Sequence, residues 1–260
     1  MHANVRRDPF HNLRLAAFFA AISRAEGKLA KQYDDGKELK EVLASRLIKA
    51  IEGCIPVEDD AEAELHCIGM VKNQPFLLLF KRGAHTFIVK FLRGRYGEAH
   101  HKAMERFAPR LHDVVQLMDG WKMVVMDHVD GLSASDPDFI PTSDHLDQLD
   151  QLGDALAAKG IVHGDLRDAN IMVSDESLRL VDWDWSGQAE VDRYPIVELS
   201  PEASRSPDAI GGCIMRVDHD KQRLEALRSK WESLMRRGIG KRKRNDSSQG
   251  IAQASGEFSS

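Results

Sequence analysis

The segment His163–Asn170, with the sequence HGDLRDAN, constrains the fold of this chain more than any other feature. Short apolar runs typical of buried strands follow it, and the run Leu178–Val181 ends in Asp182, twelve residues after Asn170. Asp and Asn are also favoured in ordinary surface turns, so a plain β-hairpin is the alternative interpretation. The spacing of these polar side chains between apolar strands favours a functional loop over that alternative.

The same residues suit the chemistry of phosphoryl transfer. Nucleotide phosphates are bound together with Mg²⁺, a hard cation that prefers carboxylate and carbonyl oxygens. The acceptor hydroxyl needs a carboxylate that orients it and receives its proton. A loop with Asp165 and Asn170 five residues apart can direct one side chain to the acceptor and the other to a metal ion. Asp182, at the end of a neighbouring strand, would complete the metal site.

The pattern His-Gly-Asp-x-x-x-x-Asn, followed by a strand that ends in Asp-Trp-Asp, resembles the protein-kinase-like superfamily in the form used by aminoglycoside and choline phosphotransferases. The string VHGDLRDANIMV…LRLVDWDWSG is most similar to a group of fungal kinase-like proteins. The resemblance covers residues 64–237 and implies ATP and Mg²⁺ as cofactors. By this resemblance Asp165 would be the catalytic base with Arg167 beside it, and Asn170 and Asp182 would be the Mg²⁺ ligands.

The fold implied by the resemblance is α+β and two-lobed, with a small antiparallel β-sheet N-lobe and a reduced helical C-lobe. Three short runs rich in Leu, Ile, Val and Phe predict a β-meander: 64–71, 75–81 and 85–92. Residues 96–107 predict a helix, and two further strands are predicted around Asp119-Gly120. Leucines at three- and four-residue spacing predict a helix over 144–159.

The resemblance also assigns nucleotide-binding residues in the predicted N-lobe. Lys90 lies on the third strand after three apolar residues, where kinase-like folds place a lysine on the α- and β-phosphates. A solvated edge-strand lysine is the alternative. Glu98 is the first candidate for its partner on the following helix, and Glu105 is the second. Asp127 and Val129 lie where the adenine-binding hinge is expected, with Val129 acting through its backbone.

Two departures from the superfamily pattern bear on activity. Lys72-Asn73-Gln74-Pro75 stands between the first two predicted strands, where a glycine-rich loop usually lets backbone amides approach phosphate. A catalytically weak or inactive nucleotide-binding module is therefore a second hypothesis. Gly164 replaces the arginine with which many protein kinases detect a phosphorylated activation loop, which argues against that form of control.

The acceptor is not defined by the sequence. Protein Ser/Thr is marginally favoured by the resemblance, ahead of a small hydroxyl metabolite as in aminoglycoside phosphotransferases. Two fragments, Arg193-Tyr194-Pro195 and Asp218-His219-Asp220, also resemble the fungal group. For Asp218 or Asp220 we expect a helix-capping role rather than metal binding.

The chain divides on sequence into an N-terminal helical extension over 1–55, an N-lobe over 56–130, a C-lobe over 131–237 and a disordered tail over 238–260. The extension predicts two amphipathic helices, over 10–33 and 38–52, whose apolar stripes we expect to pack on the small lobe rather than on a partner.

Charge and composition exclude several classes of protein. Lys and Arg number 36 against 41 Asp and Glu, which argues against general nucleic-acid binding. The apolar stretch Leu15–Ile22 is too short to span a membrane, and no cleavable signal accompanies it. Three widely separated cysteines indicate a reducing compartment. We therefore expect a cytoplasmic protein whose partners are ATP and a hydroxyl-bearing substrate, with Lys241–Arg244 as a potential nuclear-import sequence.

Overall fold

The computed structural model describes residues 47–55, 63–71, 74, 76–117, 120–174, 177–196 and 208–254, with side chains up to residue 236. The chain divides into two compact units, residues 1–98 with 109–129 and residues 99–108 with 130–260. None of the described helices combines the length and apolarity needed to cross a membrane. The helix predicted over 10–33, and most of the one predicted over 38–52, lie outside the described residues.

The first unit contains a five-stranded antiparallel sheet, which confirms the predicted meander and the two strands predicted after it. The strands are β1 His66–Met70, β2 Leu77–Arg82, β3 His85–Arg93, β4 Leu111–Gln116 and β5 Trp121–Asp127. Their order in the sheet is β1-β2-β3-β5-β4.

One face of this sheet is covered by the end of the N-terminal extension. Residues 47–52 are helical, and Leu47 and Ile51 pack in the same buried cluster as alternate residues of β3, namely Phe87, Val89 and Phe91. Successive strand residues point to opposite faces. Lys90 therefore points to the face opposite this cluster. The described part of the extension packs on the sheet, as its apolar stripe predicted.

The second unit is mainly helical, with two small sheets of the orders β6-β8-β9 and β10-β7. Helix α1, Glu98–Ala103, begins at Glu98, the last residue of the first segment of the first unit, and its other residues belong to the second unit. The elements are α1 Glu98–Ala103, α2 Ser143–Lys159, α3 Val217–Ala254, β6 Leu132–Ser133, β7 Ile161–Val162, β8 Ile171–Val173, β9 Leu178–Leu180 and β10 Gly187–Gln188.

Helix α2 has the ends and the buried stripe that its sequence predicts. The Thr142 hydroxyl accepts the His145 N–H, and Nδ1 of His145 accepts the Thr142 N–H, so the two residues cap the first turn reciprocally. Gly160 ends the helix in the left-handed conformation, at φ 61°. Leu146, Leu149, Leu152 and Leu156 are buried along one side.

Two helices differ from their predicted extents. Residues 96–107 form the short α1 and then a separate 3₁₀ turn, Glu105–Phe107. His101, Met104 and Phe107 are buried at intervals of three residues, which match the three residues per turn of a 3₁₀ helix better than the 3.6 of an α-helix. Helix α3 continues to Ala254, past the end predicted near Arg237.

Candidate functional site

The motif loop, residues His163–Asn170, begins directly after β7 and is anchored by its first residue, His163. His163 is completely buried. Its Nε2 lies 3.1 Å from the Val181 carbonyl oxygen, which can only accept, so Nε2 carries the hydrogen. Its ring also meets the Trp183 ring edge to face, with the centroids 4.8 Å apart. His163 thus joins the loop to the strand end that carries Asp182.

Three predicted site residues meet at the carboxylate of Asp165. The Asn170 side-chain amide donates to the Asp165 backbone carbonyl at 2.8 Å and to its Oδ2 at 3.0 Å. Nε of Arg167 lies 3.1 Å from the same Oδ2. Because the Asn170 nitrogen is directed at Asp165, the amide oxygen is the atom that can bind a cation.

The backbone pairing of β8 and β9 brings Asp182 next to Asn170. The Val181 N–H donates to the Asn170 carbonyl at 2.9 Å, and Asp182 is the following residue. Asp182 is in the left-handed region, at φ 69° and ψ 61°, which is costly for a residue with a side chain. Such conformations persist where the surrounding structure enforces them, and they concentrate at functional sites.

The side chains of Asn170 and Asp182 suit Mg²⁺ as part of a shared site. Mg²⁺ is commonly held by one or two carboxylates together with the phosphate oxygens of a substrate. Within the described ranges, no three His, Cys, Asp or Glu side chains are grouped as a metal site.

Asp220 of α3 supports the backbone of the same loop, a role that the sequence analysis missed. Its carboxylate accepts the N–H groups of His163 and Gly164. The pKa of Asp220 is raised to about 7, mainly by burial and also by the Asp165 carboxylate, against the opposing effect of those two hydrogen bonds. Of the two residues for which a capping role was expected, Asp220 directs its carboxylate to the loop instead.

The Arg-Tyr-Pro and Asp-His-Asp fragments meet beneath the same loop. The Tyr194 hydroxyl lies 3.1 Å from Nδ1 of His219. Gly164 has φ +81°, and a Cβ added there would lie 2.9 Å from the Met215 side chain, 3.0 Å from the Trp185 carbonyl oxygen and 3.3 Å from the Tyr194 ring. Glycine is therefore required at position 164 by both conformation and packing, so its presence says nothing about phosphorylation of an activation loop.

Helix α1 packs on the aromatic residue that follows Asp182. The buried His101 ring stacks on Trp183, with the centroids 5.7 Å apart. Nδ1 of His100 lies 3.2 Å from the Ser186 hydroxyl. Glu98 is the first residue of this helix and is partly buried, whereas Glu105 falls in the 3₁₀ turn after it. Of the two candidate partners of Lys90, Glu98 is the one that lies on the helix, where the sequence analysis expected that partner.

The remaining predicted residues lie in the first unit. Lys90 is partly buried in the middle of β3, opposite Leu77 of β2 and Val124 of β5. Asp127 ends β5, and its Oδ1 lies 2.6 Å from Nε2 of His112 on β4. Val129 follows as the last residue of the unit.

Of Lys72-Asn73-Gln74-Pro75, the segment that stands where a glycine-rich loop is usual, only Gln74 is among the described residues. Its N–H donates to the Val71 carbonyl, and its carbonyl accepts the Leu77 N–H, both at 3.0 Å. These bonds close a turn that leads into β2.

Comparisons with known proteins give a match at the level of structure only. The sequence matches no model of a known protein family and no curated protein. The fold is similar to that of a kinase from Cydia pomonella granulovirus, PK-1, with a TM-score of 0.51, 16% sequence identity and coverage of 72% of each chain. At this identity the likeness establishes the fold alone. The chain has the predicted α+β, protein-kinase-like fold, with an antiparallel β-sheet as its N-lobe.

Proposed function

We propose that this protein is an ATP- and Mg²⁺-dependent phosphotransferase that transfers the γ-phosphate to a hydroxyl acceptor. The observation that carries the proposal is the geometry at Asp165. Its carboxylate is held by the Asn170 amide and the Arg167 guanidinium, and the backbone of Asp182 runs beside Asn170. A carboxylate fixed in this way next to a predicted metal-binding pair is what in-line phosphoryl transfer requires.

Each residue has a distinct role in this proposal. Asp165 orients the acceptor hydroxyl and receives its proton. Arg167 places positive charge beside that carboxylate, where negative charge accumulates on the transferred group. Asn170 and Asp182 hold Mg²⁺, which neutralises the charge of the phosphates when bound. Lys90, with Glu98 as its partner, binds the α- and β-phosphates, while Asp127 and Val129 belong to the adenine-binding segment.

Protein Ser/Thr is the acceptor that we favour, on the resemblance of the motif residues to the protein-kinase-like superfamily. A small hydroxyl metabolite is the alternative. We place the protein in the cytoplasm, with Lys241–Arg244 as a route to the nucleus.

The absence of a glycine-rich loop from the sequence favours a second candidate function. A nucleotide-binding module without phosphotransferase activity would keep Lys90 and Asp182 but would not turn over ATP. Binding and turnover therefore have to be measured separately.

The binding test is thermal unfolding with ATP, with Mg²⁺ and with both. A ligand at about 100 times its Kd stabilises the folded state by about 2.7 kcal/mol, which is readily measured. We expect a shift that needs ATP and Mg²⁺ together and that is lost in Asp182→Asn. Asp138→Asn is the matched control, since Asp138 is an exposed carboxylate of the same unit.

The turnover test follows the γ-phosphate of ATP to casein and to a panel of small alcohols. We expect transfer by the wild type and a loss of about 10²- to 10⁴-fold in Asp165→Ala, with the ATP-dependent thermal shift retained. Binding without transfer to any acceptor would favour the module. Equal transfer by Asp165→Ala and the wild type would refute the assignment of the base.

A further inference from the structure

One side of α3 contacts the motif loop from the start of that loop to near its end. Asp220 binds the loop at its start, and Nε of Arg223 donates to the Leu166 carbonyl at 3.0 Å. Lys230 and Trp231 bind the loop near its end. Positions 220, 223, 227, 230 and 231 lie on one side of an α-helix. The buried Leu227 falls in the middle of this side.

Asp168 is the loop residue on which the last two helix contacts converge. Nζ of Lys230 lies 3.0 Å from Oδ2 of Asp168, and Nε1 of Trp231 donates to Oδ1 at 3.3 Å. Trp231 is completely buried, so its indole N–H needs an acceptor, and Asp168 provides it. The Asp168 side chain is only 14% exposed, which restricts it to this arrangement.

The backbone of Asp168 continues into the metal-binding part of the site. Its carbonyl accepts a hydrogen bond from the Ser133 hydroxyl at 3.3 Å. It also begins the short 3₁₀ segment Asp168–Asn170, in which the Asn170 N–H donates to the Arg167 carbonyl at 2.9 Å. A displacement of Asp168 would therefore be transmitted within two residues to the amide that contacts Asp165.

We propose that Asp168, held by Lys230 and Trp231 of α3, is a positioning residue that sets the placement of Asn170 relative to Asp165. The proposal rests on the phosphotransferase function proposed above. Asp168 does not bind substrate or metal, since both of its carboxylate oxygens are directed to α3. Its effect is on the placement of Asn170 relative to Asp165, the two residues to which the proposed function gives those roles.

The expected effects on the reaction rate and on the free energy of unfolding distinguish a positioning role from general stabilisation. The Lys230 side chain is 52% exposed, and ion pairs with such exposure contribute little to the free energy of unfolding. A residue that acts on an aligned metal ligand can nevertheless change metal affinity or activity by about 10- to 100-fold when it is altered. Loss of the Lys230 contact should therefore reduce the rate far more than the stability.

The test is Lys230→Gln in the full chain, with Arg228→Gln as the matched control. Arg228 lies on the same helix and bridges to Asp150 of α2 at 2.7 Å, but the partners that the structure gives it are Asp150 and Glu232 rather than loop residues. Lys230→Arg, which keeps the charge, is the conservative variant. The measurements are kcat and KM for ATP with casein or the best acceptor found, the Mg²⁺ concentration at half-maximal rate, and hydrogen exchange of the amides of residues 168–171.

We expect Lys230→Gln to lower kcat by about 10-fold or more and to raise the Mg²⁺ requirement, with KM for ATP within about twofold of the wild type. Amide exchange in the loop should accelerate. Lys230→Arg should restore most of the rate, and Arg228→Gln should behave as the wild type. Asp168→Asn, which keeps an acceptor for Trp231 but loses the charge, should resemble Lys230→Gln.

Two outcomes would overturn the inference: unchanged kcat and unchanged loop exchange in Lys230→Gln, or equal losses in Lys230→Gln and Arg228→Gln. Failure of the proposed function is distinguishable from either. A wild type that transfers no phosphate would refute the phosphotransferase, while faster loop exchange in Lys230→Gln alone would still support the positioning of Asn170 by Asp168.

Discussion

The side-chain amide of Asn170 donates to both the backbone carbonyl and the carboxylate of Asp165, at 2.8 and 3.0 Å. A single amide nitrogen thereby fixes the orientation of the predicted base and, through the geometry of the amide group, the direction of its own oxygen. The residues proposed to accept the proton and to bind the metal ion are thus coupled by two hydrogen bonds.

Replacement of Asn170 by Ala should impair both parts at once. We expect a rate about 10- to 100-fold lower and a higher Mg²⁺ concentration at half-maximal rate, because a ligand and the orientation of Asp165 are lost together. The measurement is a Mg²⁺ titration of phosphate transfer. An unchanged Mg²⁺ requirement would show that Asn170 is not a ligand.

Replacement of Lys90 by Met should weaken ATP binding by at least about tenfold, because a charge-assisted hydrogen bond to phosphate is removed. Calorimetric titration with ATP and Mg²⁺ measures the change. Lys81→Met is the control, since Lys81 lies on the neighbouring strand β2 and is exposed. Similar ATP affinities for the two variants would exclude the proposed contact between Lys90 and the phosphates.

Gly164→Ala should destabilise the protein by more than Gly212→Ala. Both glycines have positive φ, +81° and +83°, so each alanine carries a similar backbone strain. A Cβ at 212 has its nearest neighbour at 3.7 Å, whereas one at 164 is within 3.0 Å of two atoms. Overpacking at 164 should add about 1–3 kcal/mol to the difference, measured by urea unfolding. Equal losses would mean that the packing beneath the loop adjusts freely.

Asp220 should make the free energy of unfolding depend on pH. Its pKa is raised from 3.8 to about 7 in the folded state, mainly by burial. Between these values the folded state binds a proton that the unfolded state releases, so this residue's contribution to stability falls as pH rises from about 4 to about 7. Above about pH 7 the stability that comes from this difference in proton binding is fully lost.

Asp220→Asn should remove this part of the pH dependence, because the amide does not titrate. It should also loosen the loop, since an amide oxygen accepts the two backbone N–H groups less strongly than a carboxylate does. Urea unfolding of both proteins from pH 4 to pH 8 measures the difference. Parallel curves across that range would contradict the assignment of the titration to Asp220.

The local part of the site was predictable from sequence because it is encoded in consecutive residues. Asp165, Arg167 and Asn170 lie within six positions, and the strand that leads to Asp182 is short and apolar. The motif and its resemblance to the kinase-like superfamily therefore predict a single site, and the structure brings Asp165, Arg167 and Asn170 together. The five strands of the first unit were predicted for the same reason, since each has a clear apolar run and a turn sequence at its end.

The support beneath the loop could not be predicted in this way. Asp220 lies 57 residues from His163, and its neighbours in sequence give it the pattern of an ordinary helix start. Tyr194, which packs against Gly164, and its hydrogen-bond partner His219 are also far from that glycine in the sequence. The fragments Arg193-Tyr194-Pro195 and Asp218-His219-Asp220 were recognisable in the sequence. They did not indicate which residues they contact, because only tertiary packing brings them to Gly164.

The order of the loop and its supports along the chain has a consequence for biosynthesis. The residues of α3 that hold the loop lie 56 to 63 positions after their partners. A nascent chain that has emerged only through Asp182 carries the complete motif, yet the four residues of α3 that hold it have still to emerge. These contacts can therefore all form only after residue 231 has left the ribosome, and a fragment cut before Asp220 would carry the motif without any of them.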